Sequence, residues 1–284
     1  MLNSVNNSKL VKNFSVLMAV YKKDYSVFLD EAIDSIWTSQ TLKPAQIVLV
    51  VDGPIPKSIK TVITKWEVLL EEVMTIVWLP ENIGLGGALS IGMAHCRFDL
   101  IARMDSDDIS IADRFTHQLT AFENNPDLAL VGGQVLEFEN DISDGGRTRA
   151  VPIEFDEITS FAKLRSPVNH PSVMFKKKAL ESVGGYRDSD RPEDYYLWIR
   201  LLLAGHIITN LPSTLVFMRV NPAFFSRRRG WGYFLSEIKF QNFMLASGFI
   251  GTGVFIRNIL FRGFVRLLPG CVLTRIYRLT RRHF

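Results

Sequence analysis

The sequence predicts an α/β protein with an open, mostly parallel sheet flanked by helices. Three observations carry this. Short apolar runs rich in β-branched residues alternate with helical patterns through the first 110 residues. The runs are continuously apolar, as strands buried on both faces are. Turn and breaker residues separate the segments. Repeated βα units of this kind imply right-handed crossovers, with all the strand ends on one edge.

Phe14–Val20 is the first strand. Ser26 is placed to cap a helix whose apolar face is Phe28, Leu29, Ala32, Ile33, Ile36 and Trp37. Gln46–Val51 is the second strand, ended by Asp52-Gly53-Pro54, and a helix over 57–72 follows. The third strand covers 74–79 and stops at Pro80. A helix over 86–96, the strand Leu100–Met104 and a helix over 113–124 complete the regular half. The later chain is less regular. Leu128–Phe138 reads as one or two strands, 141–149 as an exposed loop, 173–175 as a short strand, 193–204 as a helix and 215–220 as a strand. From Gly230 the pattern is helical to the end.

At 284 residues and 47% hydrophobic content the chain can bury a large core, and 22% charged residues do not suit wholesale disorder. Cys96 and Cys271 form neither a disulfide framework nor a metal cluster, which fits a reducing compartment. No signal peptide is read, because the first apolar run is short and follows a polar, Asn-rich stretch. The best membrane-spanning candidate, 243–256, contains three glycines and falls short of the ~20 apolar residues a span needs. The expected location is therefore cytoplasmic. Charge is uneven. Residues 238–284 hold no Asp or Glu but carry +8, leaving −4 on the preceding 237 within a net +4. Such a basic, apolar tail suits an anionic membrane surface or a polyphosphate.

In sheets of this class ligands bind beyond the carboxyl ends of the strands. Tyr21 and Lys22 follow the first strand, Asp52 and Gly53 the second, and Glu81, Asn82 and Gly84 the third. The fourth ends in Arg103-Met104-Asp105-Ser106-Asp107-Asp108. Three carboxylates within four residues repel one another and resist burial. An acidic turn in solvent relieves that repulsion, and so does a divalent cation. Mg²⁺ and Mn²⁺ take hard oxygen ligands and bridge carboxylates to phosphates. Asp105 and Asp107, two apart, share a side of an extended turn. Residues 82–87 lack the Lys-Ser/Thr of a P-loop, and both a phosphate-binding helix start and a plain turn remain open. Asp52 is either a nucleobase or ribose acceptor or a turn residue.

Taken in order, these residues resemble the family 2 glycosyltransferases with the GT-A fold. The matching pieces are Ser15-Val16-Leu17-Met18-Ala19-Val20-Tyr21, Val51-Asp52-Gly53, Asn82-Ile83-Gly84 and the Arg103–Asp108 segment. Asn169-His170-Pro171-Ser172-Val173-Met174-Phe175 and Pro192-Glu193-Asp194-Tyr195-Tyr196-Leu197-Trp198 follow. The likeness covers about 13–220 and is nearest to enzymes that build bacterial O-antigen, capsule or exopolysaccharide repeats on a lipid diphosphate.

The resemblance implies that Tyr21 and Asp52 contact the uridine of a UDP-sugar donor. Asn82, Gly84, Arg103 and Ser106 join them around the nucleotide. It makes Asp105 and Asp107 the DxD pair holding Mn²⁺ or Mg²⁺, Asp194 the general base and Glu193 its neighbour at the acceptor. The implied reaction is an inverting, metal-dependent transfer of one hexose, from UDP-glucose or UDP-galactose. The implied acceptor is undecaprenyl-diphosphate-linked GlcNAc or a similar lipid-linked sugar, at the inner face of the cytoplasmic membrane, with no nucleic acid partner. The Gln-x-x-Arg-Trp signature of processive synthases is missing, since the chain reads Leu197-Trp198-Ile199-Arg200-Leu201. His170 is open between a metal ligand, a diphosphate donor and a structural hydrogen bond. Arg227 and Arg228, with Arg219 at their base, are read as a phosphate-binding loop. The expected organisation is a 1–12 tail, a 13–225 catalytic domain split at 110/111 into donor and acceptor halves, and a basic helical extension over 226–284. The rival readings are a nucleotidyltransferase and an inactive, membrane-associated binding protein.

Overall fold

The structure, a computed structural model, describes residues 13–139, 141–187, 192–220 and 230–263. Its centre is made of the continuous apolar runs. β1 (Phe14–Val20), β2 (Gln46–Val51), β3 (Met74–Trp78) and β4 (Leu100–Met104) lie parallel in the order β3-β2-β1-β4. Val16, Met18, Ile47 and Leu49 point to one face, against α1 (Ser26–Ile36), α2 (Lys57–Leu70) and α4 (Arg114–Asn124). Leu17, Val48 and Val50 point to the other, beneath α3 (Leu85–His95). Two cores, one per face, explain why these strands are apolar at most positions on both faces. Ser26 does not cap α1. Tyr25 occupies the cap position without a side-chain bond, and Ser26 is the first helical residue.

The remaining elements extend the sheet to β3-β2-β1-β4-β8-β6-β9-β5, with β7 (Arg147–Arg149) paired to β6. β8 (Met174–Lys176) runs antiparallel between β4 and β6 (Leu128–Phe138). β9 (Ile207–Arg219) lies parallel to β6, and β5 (Ile109–Ser110) pairs with its far end. The segment read as a strand over 215–220 is thus only the end of β9. Its first half is polar because it is a bonding strand with inward amides. Asn210, 1% exposed, donates from Nδ2 to Pro152 O at 2.6 Å and Pro167 O at 3.0 Å. Leu211 pairs with Gly133 but Thr214 with Gln134, and the bulge between them accommodates Pro212. α5 (Phe155–Phe161) and α6 (Lys177–Ser182) are short helices without an amphipathic period long enough to read. α7 (Glu193–Leu203) matches its expected span to one residue.

The C-terminal helices are joined to the body. α8 (Trp231–Ala246) buries Phe240 and Met244 in the same core as Tyr195 and Trp198 of α7. Glu237, 2% exposed, accepts from Gln241 Nε2 at 2.9 Å and pairs with Arg262 Nε at 3.1 Å. Arg262 is supplied by a π turn, Ile259–Gly263, that follows α9 (Thr252–Asn258). Gly248, at φ +74°, lies between the two helices and divides the 243–256 apolar stretch. Among the described residues no helix is long and apolar enough to cross a membrane. Phe255 packs on the core, whereas Phe261 is exposed. The 225/226 boundary, Phe264 and Cys271 lie outside the described residues.

α3 sits close on β1 and β2 because Gly92 has no side chain. A Cβ there would meet Leu17 Cδ1 and Val50 Cγ2, each at 2.5 Å. Gly92→Val should overpack this face and cost about 1–3 kcal/mol. Urea unfolding measures it, and an unchanged midpoint would contradict the close approach.

Candidate active site

The ends of β1, β2, β3 and β4 meet on one edge. Strand register sets Val20 beside Val51 and Met18 beside Met104, so Tyr21, Asp52 and Asp105 leave the sheet as neighbours. Asp52 N donates to Val20 O at 2.8 Å and Leu79 N to Val51 O at 2.9 Å, which ties the three loops together. Asp52, 4% exposed, is their hub. Its Oδ1 accepts from Ile83 N at 2.8 Å, and its Oδ2 accepts from Asn82 Nδ2 at 2.6 Å and Gly84 N at 3.1 Å. Gly53 lets the loops touch: at φ +84°, a Cβ would lie 2.6 Å from Asn82 N. Gly84, at φ +87°, caps α3. The glycines of 82–87 therefore build an Asp52-anchored turn at a helix start.

β4 delivers the acid cluster. Arg103, 2% exposed, faces Asp105 with both terminal nitrogens, Nη1 donating to Oδ2 at 2.5 Å and Nη2 donating to Oδ1. Arg114 of α4 holds the strand end, its Nη2 donating to Arg103 O at 2.6 Å. Ser106 Oγ donates to Asp24 Oδ2 at 2.9 Å, and the same oxygen accepts from Tyr21 N at 3.0 Å. Asp24 thus couples the first loop to the acid cluster. The sequence carried no signal for it, since it stands alone in a polar turn. Asp108 is buried and accepts from Arg219 N at 2.9 Å.

Arg219 is a strut. Its Nε donates to Asp107 O at 3.2 Å and its Nη2 to Glu31 Oε2 at 2.7 Å. Its guanidinium lies 3.9 Å from the Phe28 ring centre and 4.7 Å from that of Phe138. Arg227 and Arg228, with Phe224 and Phe225, lie outside the described residues.

His170 is buried in the turn before β8. Its Nε2 and Tyr186 Oη are 2.9 Å apart, and its ring meets Trp198 edge-on at 5.8 Å. Burial, then the nearby Arg103 charge, holds it well below the usual imidazole range, so it is neutral. It stands outside the group of acids able to hold a metal. Glu193 and Asp194 open α7 and are half-buried, with Asp194 Oδ1 accepting from Tyr195 N at 2.8 Å.

Asp105, Asp107 and Asp108 offer oxygens within 4.8 Å of one another. Asp108 Oδ2 is buried without a hydrogen-bond partner among the described residues. Clustered hard oxygens with one orphaned acceptor fit a divalent cation such as Mg²⁺ or Mn²⁺. Burial, followed by the charges of Asp105 and Asp24, raises Asp107 to about 7. Burial, followed by the charges of Asp105 and Asp107, pushes Asp108 well up.

A sheet of this order, flanked by helices and carrying acids beyond a central parallel strand, defines the GT-A glycosyltransferase fold. The mannosyltransferase PcManGT of Pyrobaculum calidifontis, solved with GDP-Man and Mn²⁺, superposes with a TM-score of 0.59 at 15% identity, over 94% of this chain and 80% of its own. S. aureus TarS 1–349 with UDP-GlcNAc gives 0.63 at 12% identity, over 87% and 70%. The chain belongs to glycosyl transferase family 2, whose model matches residues 15–184. It is 38% identical to the amylovoran biosynthesis glycosyltransferase AmsE of Erwinia amylovora, over 95% of this chain and 99% of that one. It is 39% identical to a UDP-Gal:alpha-D-GlcNAc-diphosphoundecaprenol beta-1,3-galactosyltransferase of Escherichia coli, over 95% and 97%. The protein is a glycosyltransferase.

A raised carboxylate holds its proton in the folded state over a pH range where the unfolded chain has lost it. Without metal, Asp107 therefore subtracts stability as pH rises from its ordinary value towards about 7. A cation must displace that proton. Mn²⁺ affinity, measured by electron paramagnetic resonance, should rise between pH 6 and 8 with proton release, and a flat profile would refute the displacement.

Proposed function

We propose that this glycosyltransferase moves one hexose, from UDP-glucose or UDP-galactose, onto a sugar carried by a lipid diphosphate, with inversion. GlcNAc on undecaprenyl diphosphate is the proposed acceptor. The observation that carries the reading is the acid cluster beyond β4, beside the loops of Tyr21 and Asp52. The name of the E. coli relative, with UDP-Gal as donor and a GlcNAc-diphosphoundecaprenol acceptor, supports the substrate pair.

In this reading residues 13–110 bind the donor and 111–225 the acceptor. Tyr21 and Asp52 face the uridine, with Asn82 and Gly84 shaping that side. Asp105 and Asp107 hold Mn²⁺ or Mg²⁺, and Ser106 and Arg103 keep the cluster in place. When bound, the cation offsets the charge growing on the departing diphosphate. Arg219 positions the end of β9, and Arg227 and Arg228 bind the phosphates.

Asp194 takes the proton of the attacking acceptor hydroxyl. The new glycosidic C–O bond forms as the anomeric carbon–phosphate oxygen bond breaks, and UDP leaves. One carboxylate base suffices for a single displacement, and Glu193 contacts the acceptor beside it. The +8 charge of residues 238–284, with Ile256, Leu260 and Phe261 exposed near Arg257, supports peripheral contact with the inner face of the cytoplasmic membrane, where a lipid-linked acceptor is reached.

Asp194→Asn should lower transfer by about 10²- to 10⁴-fold while UDP still binds. UDP release and product linkage are read with lipid-diphosphate GlcNAc and a panel of UDP-sugars. Undiminished transfer would remove Asp194 as base. Pyrophosphate in place of UDP would make the chain a nucleotidyltransferase. Chelation should abolish transfer and Mn²⁺ or Mg²⁺ restore it, and indifference to chelator would overturn the metal assignment.

A further inference from the structure

Between the acid cluster and the start of α7 lies a buried layer of three side chains, from three separate parts of the chain. Tyr186 is 3% exposed, and its hydroxyl meets His170 Nε2 at 2.9 Å. The Tyr186 ring is tilted against His170 at 5.6 Å and meets Phe175 of β8 edge-on at 6.4 Å. His170 in turn meets Trp198 at 5.8 Å. Trp198 is fully buried and stands four residues after Asp194 on α7, on the same helical face. The layer therefore supports α7 one turn below the proposed base.

The same turn is fastened a second time. Arg200 Nη1 donates to Val183 O at 2.6 Å and Nη2 to Gly185 O at 2.8 Å. Gly184 and Gly185 both adopt positive φ, +83° and +57°, which brings those carbonyls round to one guanidinium. Residues 183–186 are thus tied to α7 by Arg200 and to the β8 turn by Tyr186, immediately before the stretch that leads into Glu193 and Asp194. On its other side the layer adjoins the acid cluster. The charges of Arg103, Asp194, Asp105 and Glu193 all act on the Tyr186 hydroxyl, and that of Arg103 acts on His170.

We propose that Tyr186, through its hydroxyl bond to His170, is a positioning residue that sets the base of α7 against the donor held at Asp105 and Asp107. It touches neither substrate nor metal. It fixes how far the acceptor hydroxyl stands from the anomeric carbon, a separation to which in-line displacement is steep. A neutral pair suits this task. His170 and Tyr186 satisfy each other's buried polar atoms without adding charge beside three carboxylates. The inference rests on Asp194 being the base.

The test compares Tyr186→Phe, His170→Gln and Asp194→Asn in the full chain, with a UDP-sugar and lipid-diphosphate GlcNAc. Tyr186→Phe should lower kcat by about tenfold or more, while donor KM and Mn²⁺ affinity stay within about twofold. His170→Gln, which keeps a polar group for Tyr186, should retain more kcat than Tyr186→Phe. The double variant Tyr186→Phe/His170→Leu removes both polar groups, so it should regain thermal stability but not kcat. A normal kcat in Tyr186→Phe, or a double variant that regains stability and rate together, would overturn positioning and leave a packing role. Full activity in Asp194→Asn would instead defeat the base assignment on which the inference stands.

Discussion

Everything at this site depends on holding three carboxylates together at the end of one buried strand. Their mutual repulsion opposes the fold before any substrate arrives. Arg103 offsets part of it, bound bidentately to Asp105 from inside the sheet. Arg219 N donates to Asp108, and Ser106 donates to Asp24 beside the cluster. A buried guanidinium paired in this way is expensive to leave alone. Arg114 fixes the carbonyl of Arg103 and so the strand end that carries the cluster. The cluster is stable enough to exist and still short of positive charge, which is the condition a divalent cation meets.

The sheet sets that local arrangement among loops from other strands. Parallel strands share a carboxyl edge, so loops distant in sequence become neighbours without long excursions. Asp52 shows how tightly: one carboxylate takes donors from three successive residues of the next loop. The antiparallel β8 lies beside β4, and the turn before it brings His170 against Trp198 of α7. Among the described residues, α3, β8 and α7 share one packed core.

The first half of this design was legible in the sequence because burial on both faces writes continuous apolar runs, and β1, β2 and β4 begin and end where those runs do. The second half was not. β9 hides its length behind Thr209, Asn210 and Pro212, whose polarity reads as loop until their partners across the sheet are known. The acids and the Glu-Asp pair were visible as motifs. Asp24 and Tyr186 were invisible, because a lone aspartate in a turn and a tyrosine after two glycines acquire meaning only from what lies opposite them. His170 was visible but ambiguous, and its bond to Tyr186 decides its surroundings. Arg219 drew notice as a phosphate candidate, and its contacts include Glu31, Phe28, Phe138 and the backbone of Asp107, none of which the sequence could pair with it.

The bond from Arg219 to Asp108 spans 111 residues. During synthesis, β1 to β4 and the Asp52 hub are available long before β9 leaves the ribosome. Until then Asp108 has no amide to meet, Asp107 has no strut on its carbonyl, and α7 lacks the α8 aromatics that cover Tyr195 and Tyr196. A nascent chain with the loops of Tyr21, Asp52 and Asn82 in place therefore holds an acid cluster that is still unbraced. The catalytic apparatus closes late, by a long-range contact that is slow to find. A chain that ends before Arg219 lacks both the amide that Asp108 accepts from and the guanidinium that braces the Asp107 carbonyl.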